Sequence, residues 1–231
     1  MKHGNYLKNN FENILLSNYM NNLQLDNGRT VNLYFIRHGQ SEHNINKNYK
    51  NIFDPPLTKI GISQSQDLYK NILDIKPDLI YSSPLRRSLQ TLFYSLLNQI
   101  NDKIPIIIDE NLRELNRGRQ CDFRHSKDQI IKYTKLLNYN NMSYDKITID
   151  SNNRRETEDH LNKRIEQWLD DLKAYIKDKP DIKNIVIYSH GLLINNTLKL
   201  LAPRINKTGV CEIGKYISNG KICAFLYSVD I

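Results

Sequence analysis

Residues 31–44 read Val-Asn-Leu-Tyr-Phe-Ile-Arg-His-Gly-Gln-Ser-Glu-His-Asn, and the predicted architecture follows from this stretch. The apolar residues 31–36 are typical of a buried strand, and the polar residues after them predict a loop at its carboxyl end. In an open sheet of parallel strands, ligands bind beyond the carboxyl ends of the strands. The loop that begins at Arg37 is therefore the first candidate for a functional site.

Strand and helix patterns alternate along the rest of the chain. Apolar runs predict three further buried strands, at residues 78–82, 104–108 and 184–188. Amphipathic spacing predicts four helices, at residues 58–74, 85–100, 165–176 and 192–201. Strands that alternate with helices form right-handed βαβ units, with helices on both faces of the sheet. The sequence therefore predicts a three-layer α/β/α fold with a mostly parallel central sheet.

Three segments depart from this alternation. Residues 1–30 predict an N-terminal extension, either a helix packed on the domain or a partly disordered tail, with a partner or dimer contact as the alternative. Residues 139–155 are polar and predict an irregular stretch. Residues 216–217 and 222–227 predict a hairpin that turns at Asn219-Gly220. None of these segments adds to the predicted parallel core.

Composition bounds the class of protein. The 231 residues are predicted to form one globular domain over residues 31–231, with a homo-oligomer left open. The net charge of +8 arises from 33 basic and 25 acidic residues that interleave, so it favours an anionic small molecule over nucleic acid as partner. No apolar run approaches the roughly 20 residues that span a membrane, and no secretory leader is recognisable. Three cysteines without CxxC spacing predict reduced thiols and a cytoplasmic protein.

Residues that can perform chemistry follow each predicted strand. They are Arg37 and His38 after the first strand, Arg86 and Arg87 after the second, Arg113 and Glu114 after the third, and His190 after the fourth. Arginine pairs with phosphate in a planar, bidentate way, and a neutral histidine is a competent nucleophile. The sequence contains neither a Walker motif nor an Asp-x-Asp cluster. The strand ends therefore predict a phosphate site without a glycine-rich loop or a metal.

These motifs occur in the order of a known family. They are residues 37–41 with Asn44, residues 54–58 with Gly61 and Gln64, residues 82–87 with Gln90 and Thr91, residues 112–114, and residues 189–191. Over residues 31–195 the set resembles the motifs of the histidine phosphatase superfamily, the phosphoglycerate-mutase-like proteins. The resemblance implies a phosphoglycerate-mutase-like fold and an enzyme of the phosphatase branch, which needs no metal and no cofactor.

The same resemblance implies a role for each matching residue. His38 would be the nucleophile that becomes phosphorylated. Glu114 would be the general acid that protonates the leaving oxygen and later the base that activates water. The phosphoryl oxygens would be held by Arg37, Arg87 and His190, with Asn44 helping to position them.

Two of these assignments have close rivals. Arg87, rather than Arg86, matches the arginine of the family because it directly precedes a small residue. Arg86 would then pack against a neighbour or face solvent. Glu114 competes with Asp109 and Glu110, which lie within five residues of it.

Physical chemistry adds two expectations about His38. Positive charge around the imidazole should lower its pKa and leave one ring nitrogen free to attack. A backbone carbonyl should accept a hydrogen bond from the other ring nitrogen and so fix the tautomer. His38 and His43 together also suggest a metal site, but no carboxylate or cysteine pattern completes one.

Three functions remain open on the sequence alone. A phosphatase that acts on a small phosphorylated metabolite or a phosphopeptide is favoured, because the short segment 115–155 lacks the basic pattern of the mutases. A phosphoglycerate mutase and a non-catalytic phosphate-binding regulatory module are the alternatives.

Two further motifs bear on the substrate. Arg154 and Arg155 resemble the short phosphatase version of the family, although members often have Gly where Arg155 stands. We expect both arginines to lie near the substrate, with residues 139–155 as a partial lid. Cys121-Asp122 resembles a block of one eukaryotic-type phosphatase branch, and a polar turn beside a packed thiol is the alternative.

Overall fold

The protein is described by a computed structural model. It covers residues 29–45, 48, 51–96, 103–135, 139, 141–149, 154–201, 205–206 and 217–229. The predicted extension, residues 1–30, lies outside the described residues except for Arg29 and Thr30, which begin the first strand. In the part of the chain that is described, no helix has the length and apolar character needed to cross a membrane.

A single mostly parallel sheet forms the centre of the molecule. Its described strands are β1 (Arg29–Arg37), β2 (Leu79–Ser82), β3 (Ile106–Ile108), β4 (Met142–Ser143), β5 (Asn184–Ser189), β6 (Ile205–Asn206) and β7 (Ile222–Val229). They are ordered β4-β3-β2-β5-β1-β7-β6. Within this set β7 alone runs antiparallel to its neighbours β1 and β6, and the other pairs are parallel. The predicted sheet is confirmed.

Helices cover both faces of the sheet, as the alternating pattern predicts. The described helices are α1 (Glu42–Ile45), α2 (Lys59–Asp67), α3 (Tyr69–Ile75), α4 (Arg86–Leu96), α5 (Lys127–Lys135), α6 (Glu158–Ile176) and α7 (Gly191–Leu201). Leu33 and Phe35 of β1 belong to the core under α6 and α7, where the Trp168 ring meets Phe35 at 5.8 Å. Ile36 points to the opposite core, under α3, α4 and α5. This alternation follows from the two-residue period of a strand.

Several predicted elements have different bounds in the structure. The helix predicted over residues 165–176 begins at Glu158. The helix predicted over residues 58–74 is divided at Leu68, whose N–H donates to the carbonyl of Ser65 as in a tighter 3-10 turn. The strand predicted over residues 104–108 begins at Ile106, directly after Pro105. A proline has no N–H to donate to a sheet, which accounts for the later start. The helix predicted to residue 100 is described as far as Leu96.

Two predictions about the sheet edges are corrected. The stretch 139–155 is not wholly irregular, because Met142 pairs with Ile106 and adds β4 to the sheet edge. A strand of two residues leaves no periodic signal in a sequence. The hairpin predicted between residues 216–217 and 222–227 is wrong at Ile217, which lies outside the strands; residue 216 is not described. Instead, β7 pairs antiparallel with β1, from Ile36↔Ile222 onward.

Candidate active site

Residues from three neighbouring strands converge at their carboxyl ends. His38 follows β1, His190 follows β5, and Arg87 lies in the first turn of α4, which comes after β2. The ring centroids of His38 and His190 are 5.2 Å apart, and both side chains are buried. Together with Arg37 they form the histidine–arginine cluster (Arg37, His38, Arg87 and His190). The structure thus brings together four of the residues predicted to touch a phosphoryl group.

His38 is held in one neutral tautomer. Its Nδ1 lies 2.7 Å from the carbonyl oxygen of Gly39, so Nδ1 carries the proton that this oxygen accepts. Burial lowers the pKa of His38 well below its ordinary value, and the charges of Arg87 and Arg37 lower it further. The Nε2 atom therefore keeps its lone pair. Both expectations about His38, a lowered pKa and a backbone carbonyl on the second nitrogen, are confirmed.

Helix α4 fixes Arg87 relative to the loop after β1. Arg87 is 1% exposed, and its Nη1 donates to the carbonyl of Cys121 at 2.9 Å. One turn later, Thr91 Oγ1 accepts the N–H of Gly39 at 3.0 Å. At the start of the helix, the N–H of Arg86 donates to Asp54 Oδ1 at 2.9 Å. The helix therefore ties three separate segments of the site to one rigid element.

The other two arginines after β1 and β2 have distinct environments. Arg37 is 8% exposed, and its Nη1 donates to the carbonyl of Ile217 at 2.7 Å. Arg86 lies over the ring of Tyr133, with 5.9 Å from its guanidinium carbon to the ring centroid. The expectation that Arg86 packs against a neighbour is confirmed, and this leaves Arg87 as the arginine of α4 in the cluster.

Glu114 approaches the cluster from the loop after β3. Its Oε1 accepts the N–H of Leu115 at 3.0 Å, and its Oε2 accepts the N–H of Leu192 at 3.4 Å, in the first turn of α7. Burial raises the pKa of the Glu114 carboxyl above its ordinary value, and the charge of Arg87 opposes that rise. A carboxyl with a raised pKa holds its proton nearer neutrality, which a general acid requires.

The two rivals of Glu114 are occupied elsewhere. Glu110 is bound by two arginines, at 2.6 Å from Arg113 Nε and 2.7 Å from Arg124 Nε. Asp109 accepts the N–H of Asn111 at 2.8 Å and so begins the short 3-10 helix Glu110–Leu112. Both carboxylates therefore build the loop, whereas the charge of Arg87 acts on Glu114.

Asn44 lies at the rim rather than among the buried residues. Its side chain is exposed, and its Oδ1 accepts from the N–H of Ser41 at 2.9 Å and from Asn219 Nδ2 at 3.3 Å. Asn219 also donates to the carbonyl of His38 at 3.1 Å. Asn44 therefore fixes the loop that carries His38, and its predicted contact with a phosphoryl group stays a prediction.

Sequence reasoning missed the part that His43 and Arg119 play in this site. The rings of His38 and His43 lie 5.6 Å apart. Burial lowers the pKa of His43 to about 2, and the charges of Arg87, Arg37 and Arg119 add to the effect. His43 had been considered only as a metal ligand. Within the described ranges, no group of three or more His, Cys, Asp or Glu residues could hold a metal ion.

Arg154 and Arg155 are exposed, at the start of the segment that leads into α6. Neither forms a hydrogen bond or an ion pair with a described residue. Arg155 packs over Gly118, since a methyl group placed on that glycine would lie 3.7 Å from Arg155 Cβ. The structure does not place these two arginines in the histidine–arginine cluster, and a contact with substrate stays a prediction.

The Cys121-Asp122 motif forms a short 3-10 turn beneath the site, over Gln120–Asp122. Cys121 is fully buried, and burial raises the pKa of its thiol to about 11. Asp122 accepts from Arg119 Nε at 2.8 Å and from Arg119 Nη2 at 3.0 Å. The turn thus presents a carbonyl to Arg87 and holds Arg119 beside His43. The alternative of a polar turn beside a packed thiol matches this geometry.

Known proteins match both the sequence and the fold. A family model described as the histidine phosphatase superfamily, branch 1, matches residues 33–216. A relative from Hydrogenobacter thermophilus, named "Putative phosphoserine phosphatase 2", is 29% identical and covers 73% of this chain and 77% of its own length. A 2,3-bisphosphoglycerate-dependent phosphoglycerate mutase 1 from Arabidopsis thaliana is 24% identical; the match covers 78% of this chain and 59% of the mutase.

A solved structure gives a similar result. The phosphoserine phosphatase from Entamoeba histolytica, solved in complex with 3-phosphoglyceric acid, has a TM-score of 0.52 and 27% identity. The alignment covers 86% of this chain and 94% of that chain.

Proposed function

Because the chain belongs to the histidine phosphatase superfamily, branch 1, and is an enzyme of the phosphatase type, we propose that it hydrolyses phosphate monoesters through a phosphohistidine at His38. One observation carries this proposal. The neutral His38 has its Nδ1 committed to Gly39 O, so its Nε2 lone pair is free to attack. Two arginines and a second histidine surround it and can hold the oxygens of a phosphoryl group.

In the first step, His38 Nε2 attacks phosphorus in line with the bond that breaks. The new bond is N–P, and the old ester oxygen leaves with the electrons of the P–O bond. Glu114, whose pKa is raised, gives its proton to that oxygen, so the product alcohol leaves neutral. The positive charge that develops on the His38 ring is partly relieved by the Gly39 carbonyl at Nδ1.

In the second step, water displaces the histidine from phosphorus. The Glu114 carboxylate, left unprotonated by the first step, removes a proton from water as the new O–P bond forms. The N–P bond breaks, and its electron pair returns to His38 Nε2. Inorganic phosphate leaves, Glu114 is protonated again, and the enzyme regains its starting state.

The histidine–arginine cluster supplies what a metal ion often supplies in phosphoryl transfer. Enzymes that hydrolyse phosphate monoesters accelerate a reaction by up to about 10²¹-fold, chiefly through positioning and electrostatic stabilisation. Charge-assisted hydrogen bonds contribute about 1.5–3 kcal/mol each. Arg87 is 1% exposed, so its charge acts on phosphoryl oxygens where water screens it little. This supports a metal-independent reaction.

A phosphatase is supported more strongly than a mutase, which is the second candidate function. Relatives with either name match the chain. Phosphoglycerate mutase requires that the phosphohistidine be shielded from water and that the substrate carry a second position for the phosphoryl group. Here the segment between Glu114 and Glu156 is short, and one part of it, Met142–Ser143, is used as an edge strand of the sheet. An assay with 2- and 3-phosphoglycerate separates the two functions. A phosphatase releases inorganic phosphate from them, whereas a mutase converts one into the other.

The test of hydrolysis uses p-nitrophenyl phosphate in the presence of EDTA. We expect the parent to release p-nitrophenol and His38→Ala to lose at least a thousandfold in kcat, since removing a nucleophile abolishes the two-step route. His160→Gln is the matched control, because His160 is an exposed histidine on the first turn of α6 and glutamine can also complete the capping box with Thr157. Equal rates for the parent and His38→Ala would contradict the proposal. Phosphate binding without any turnover would instead indicate the regulatory module.

We propose further that the substrate is a small phosphorylated metabolite or a phosphopeptide that Arg154 and Arg155 contact. Both side chains are exposed, and Arg155 lies over Gly118, next to Arg119. A panel of sugar phosphates, nucleotides and phosphopeptides would identify the class. If Arg154→Ala and Arg155→Ala both leave kcat/KM unchanged across that panel, this part of the proposal is wrong.

A further inference from the structure

The second histidine of the cluster meets two serine hydroxyls through one of its ring nitrogens. His190 Nε2 lies 2.9 Å from Ser83 Oγ and 3.3 Å from Ser88 Oγ. Ser83 is the first residue after β2, and Ser88 lies in the first turn of α4. All three side chains are fully buried, so water cannot replace either hydrogen bond.

The direction of these hydrogen bonds follows from counting protons. A serine hydroxyl has one proton to give, and Ser83 Oγ already accepts the N–H of Leu85 at 3.3 Å. Among the described residues, His190 Nε2 is the acceptor that Ser83 and Ser88 can reach with their protons. If Nε2 instead carried the ring proton, neither hydroxyl proton would have an acceptor among the described residues, and leaving a buried donor unsatisfied is unfavourable.

The charge state of His190 agrees with this direction. Burial lowers the pKa of His190 well below its ordinary value, and the charges of Arg87 and Arg37 add to the effect. The ring is therefore neutral and carries one proton. With Nε2 as acceptor, that proton is on Nδ1, which is buried and has no hydrogen-bond partner among the described residues.

We propose that Ser83, with Ser88 as a weaker second, is a positioning residue that fixes His190 as a neutral donor whose Nδ1–H is aimed at the transferring phosphoryl group. This inference rests on the proposed function, since it assigns a direction to one contact of the same site. The positive charge that faces the phosphoryl oxygens then comes from Arg37 and Arg87. His190 contributes a directed dipole and competes with neither Glu114 nor His38 for a proton.

Nuclear magnetic resonance of protein labelled with ¹⁵N-histidine tests the tautomer without any substrate. At neutral pH we expect the Nδ1 resonance of His190 at the protonated position and its Nε2 resonance at the unprotonated position. Assignment uses the signal that disappears in His190→Gln. A protonated Nε2, or a doubly protonated ring, in the wild-type spectrum would overturn the proposal, whether or not any serine variant folds.

Ser83→Ala tests the consequence for binding and turnover. We expect the ring of His190 to lose its preference for one tautomer, and affinity for inorganic phosphate and kcat each to fall about tenfold or more, as for one lost charge-assisted hydrogen bond. Ser95→Ala is the matched control, because Ser95 is a buried serine whose hydroxyl meets Tyr188 Oη at 2.7 Å, away from the cluster. Equal losses in the two variants would refute a specific role for Ser83.

Failure of this inference is distinguishable from failure of the proposed function. A protein that shows the expected spectrum but hydrolyses no ester would refute the function and leave the tautomer assignment in place. A protein that hydrolyses p-nitrophenyl phosphate while its His190 carries the proton on Nε2 would refute the tautomer assignment and leave the proposed function in place.

Discussion

Buried side chains near the strand ends, among them His38, His190 and Asp54, have pKa values displaced from their ordinary ones. The pKa values of His38 and His190 are lowered, and that of Asp54 is raised from 3.8 to about 7. Burial is the largest cause in each case because a charged group is poorly solvated away from water. The site therefore holds its histidines neutral at the pH where they are used, and it places fixed arginine charges beside them.

Asp54 gives a prediction about stability against pH. Its Oδ1 accepts the N–H of Arg86 at 2.9 Å, and His125 Nε2 lies 3.9 Å from its Oδ2. Between about pH 4 and pH 7 the folded chain holds a proton on Asp54 that the unfolded chain releases, so this carboxyl lowers the free energy of unfolding as pH rises through that window. Asparagine at position 54 resembles the protonated form and does not titrate. In Asp54→Asn this contribution to the free energy of unfolding therefore does not decrease as pH rises.

The measurement is urea unfolding of the parent and Asp54→Asn at pH 5 and pH 8. The free energy of unfolding of the variant, relative to the parent, should be higher at pH 8 than at pH 5. Contributions from His38 and His190 are common to both proteins and cancel in the difference. Asp67→Asn, an exposed substitution at the end of α2, is the control for replacing a surface carboxyl. A difference for Asp54→Asn that is identical at pH 5 and pH 8 would contradict the raised pKa.

The buried side chains of the site were largely predictable residue by residue. His38, Arg87 and His190 each follow a strand, and parallel strands bring such positions to one edge. His43 and Arg119 were missed because their proximity depends on how two loops fold toward each other, which no periodic pattern encodes. The signal for His43 was its place five residues after His38 in the same loop.

At the scale of elements, the start of α2 packs backbone to backbone against the loop that carries His38. Thr58 caps the helix by accepting the N–H of Gly61 at 3.1 Å, and its own N–H donates to Gln40 O at 3.0 Å. A methyl group added at Gly61 would lie 1.9 Å from the carbonyl oxygen of Gln40, and one at Gly39 would lie 2.5 Å from Gly61 O. Glycine is required at both positions because backbone atoms occupy the space of a Cβ.

We therefore expect Gly61→Ala to destabilise the protein despite its position in a helix. Helix propensity alone would favour alanine by about 1 kcal/mol. Overpacking against fixed backbone costs about 1–3 kcal/mol or more, so the clash should prevail and should also displace the loop after β1. Thermal unfolding followed by circular dichroism measures the change. Ser63→Ala, an exposed substitution in the same helix, is the control, and a Gly61→Ala protein as stable as the parent would contradict this packing.

The ion pair between Arg164 and Glu156 holds the loop of Glu114 against α6. Arg164 Nε donates to Glu156 Oε1 at 2.8 Å, and its Nη1 donates to the carbonyl of Asn111 at 2.6 Å. Its Nη2 also lies 3.5 Å from the carbonyl of Glu114 itself. Glu156 in turn accepts the N–H of Asn116 at 3.0 Å. The planar fork of the guanidinium thus fixes the backbone on both sides of Glu114, the proposed general acid.

Arg164→Lys should misplace Glu114 while keeping the charge. Loss of the fork should lower kcat/KM, which reports cleavage of the ester bond, about tenfold for an alkyl phosphate, whose leaving oxygen needs a proton, and less for p-nitrophenyl phosphate, whose leaving group is already stable. The ratio of the two kcat/KM values is the measurement. Lys163→Ala, which removes an exposed ion pair with Asp159, should leave the ratio unchanged. Equal losses on both substrates would show that the Arg164–Glu156 pair does not act through Glu114.

The elements were predicted best where their patterns were long. The helix face around Trp168 and the strand before His38 lie where the sequence placed them, since burial on one face imposes a clear period. The strand Met142–Ser143 and the division at Leu68 were not predicted, because each depends on contacts made by only two or three residues.

At the scale of the whole molecule, the sheet topology explains why the residues of the histidine–arginine cluster lie at one edge of the sheet. The strands β2, β5 and β1 are adjacent and parallel, so the segments that follow them meet. The net charge of +8 favours the approach of anionic substrates to that edge by long-range attraction. Fold and family were predictable because several ordered motifs coincide with strand ends. The substrate was not, since in folds of this kind specificity usually resides on loops, whose sequences carry no periodic pattern.

The central claim is that His38 becomes phosphorylated, and one measurement tests it most directly. Glu114→Gln, given an activated ester such as p-nitrophenyl phosphate, should form the phosphohistidine without help from the acid and then lack the base that admits water. Quenching in alkali, digestion and mass spectrometry should find close to one phosphoryl group per chain, on residue 38. A burst of p-nitrophenol with no phosphoryl group on residue 38, or with the group on another residue, would contradict the account.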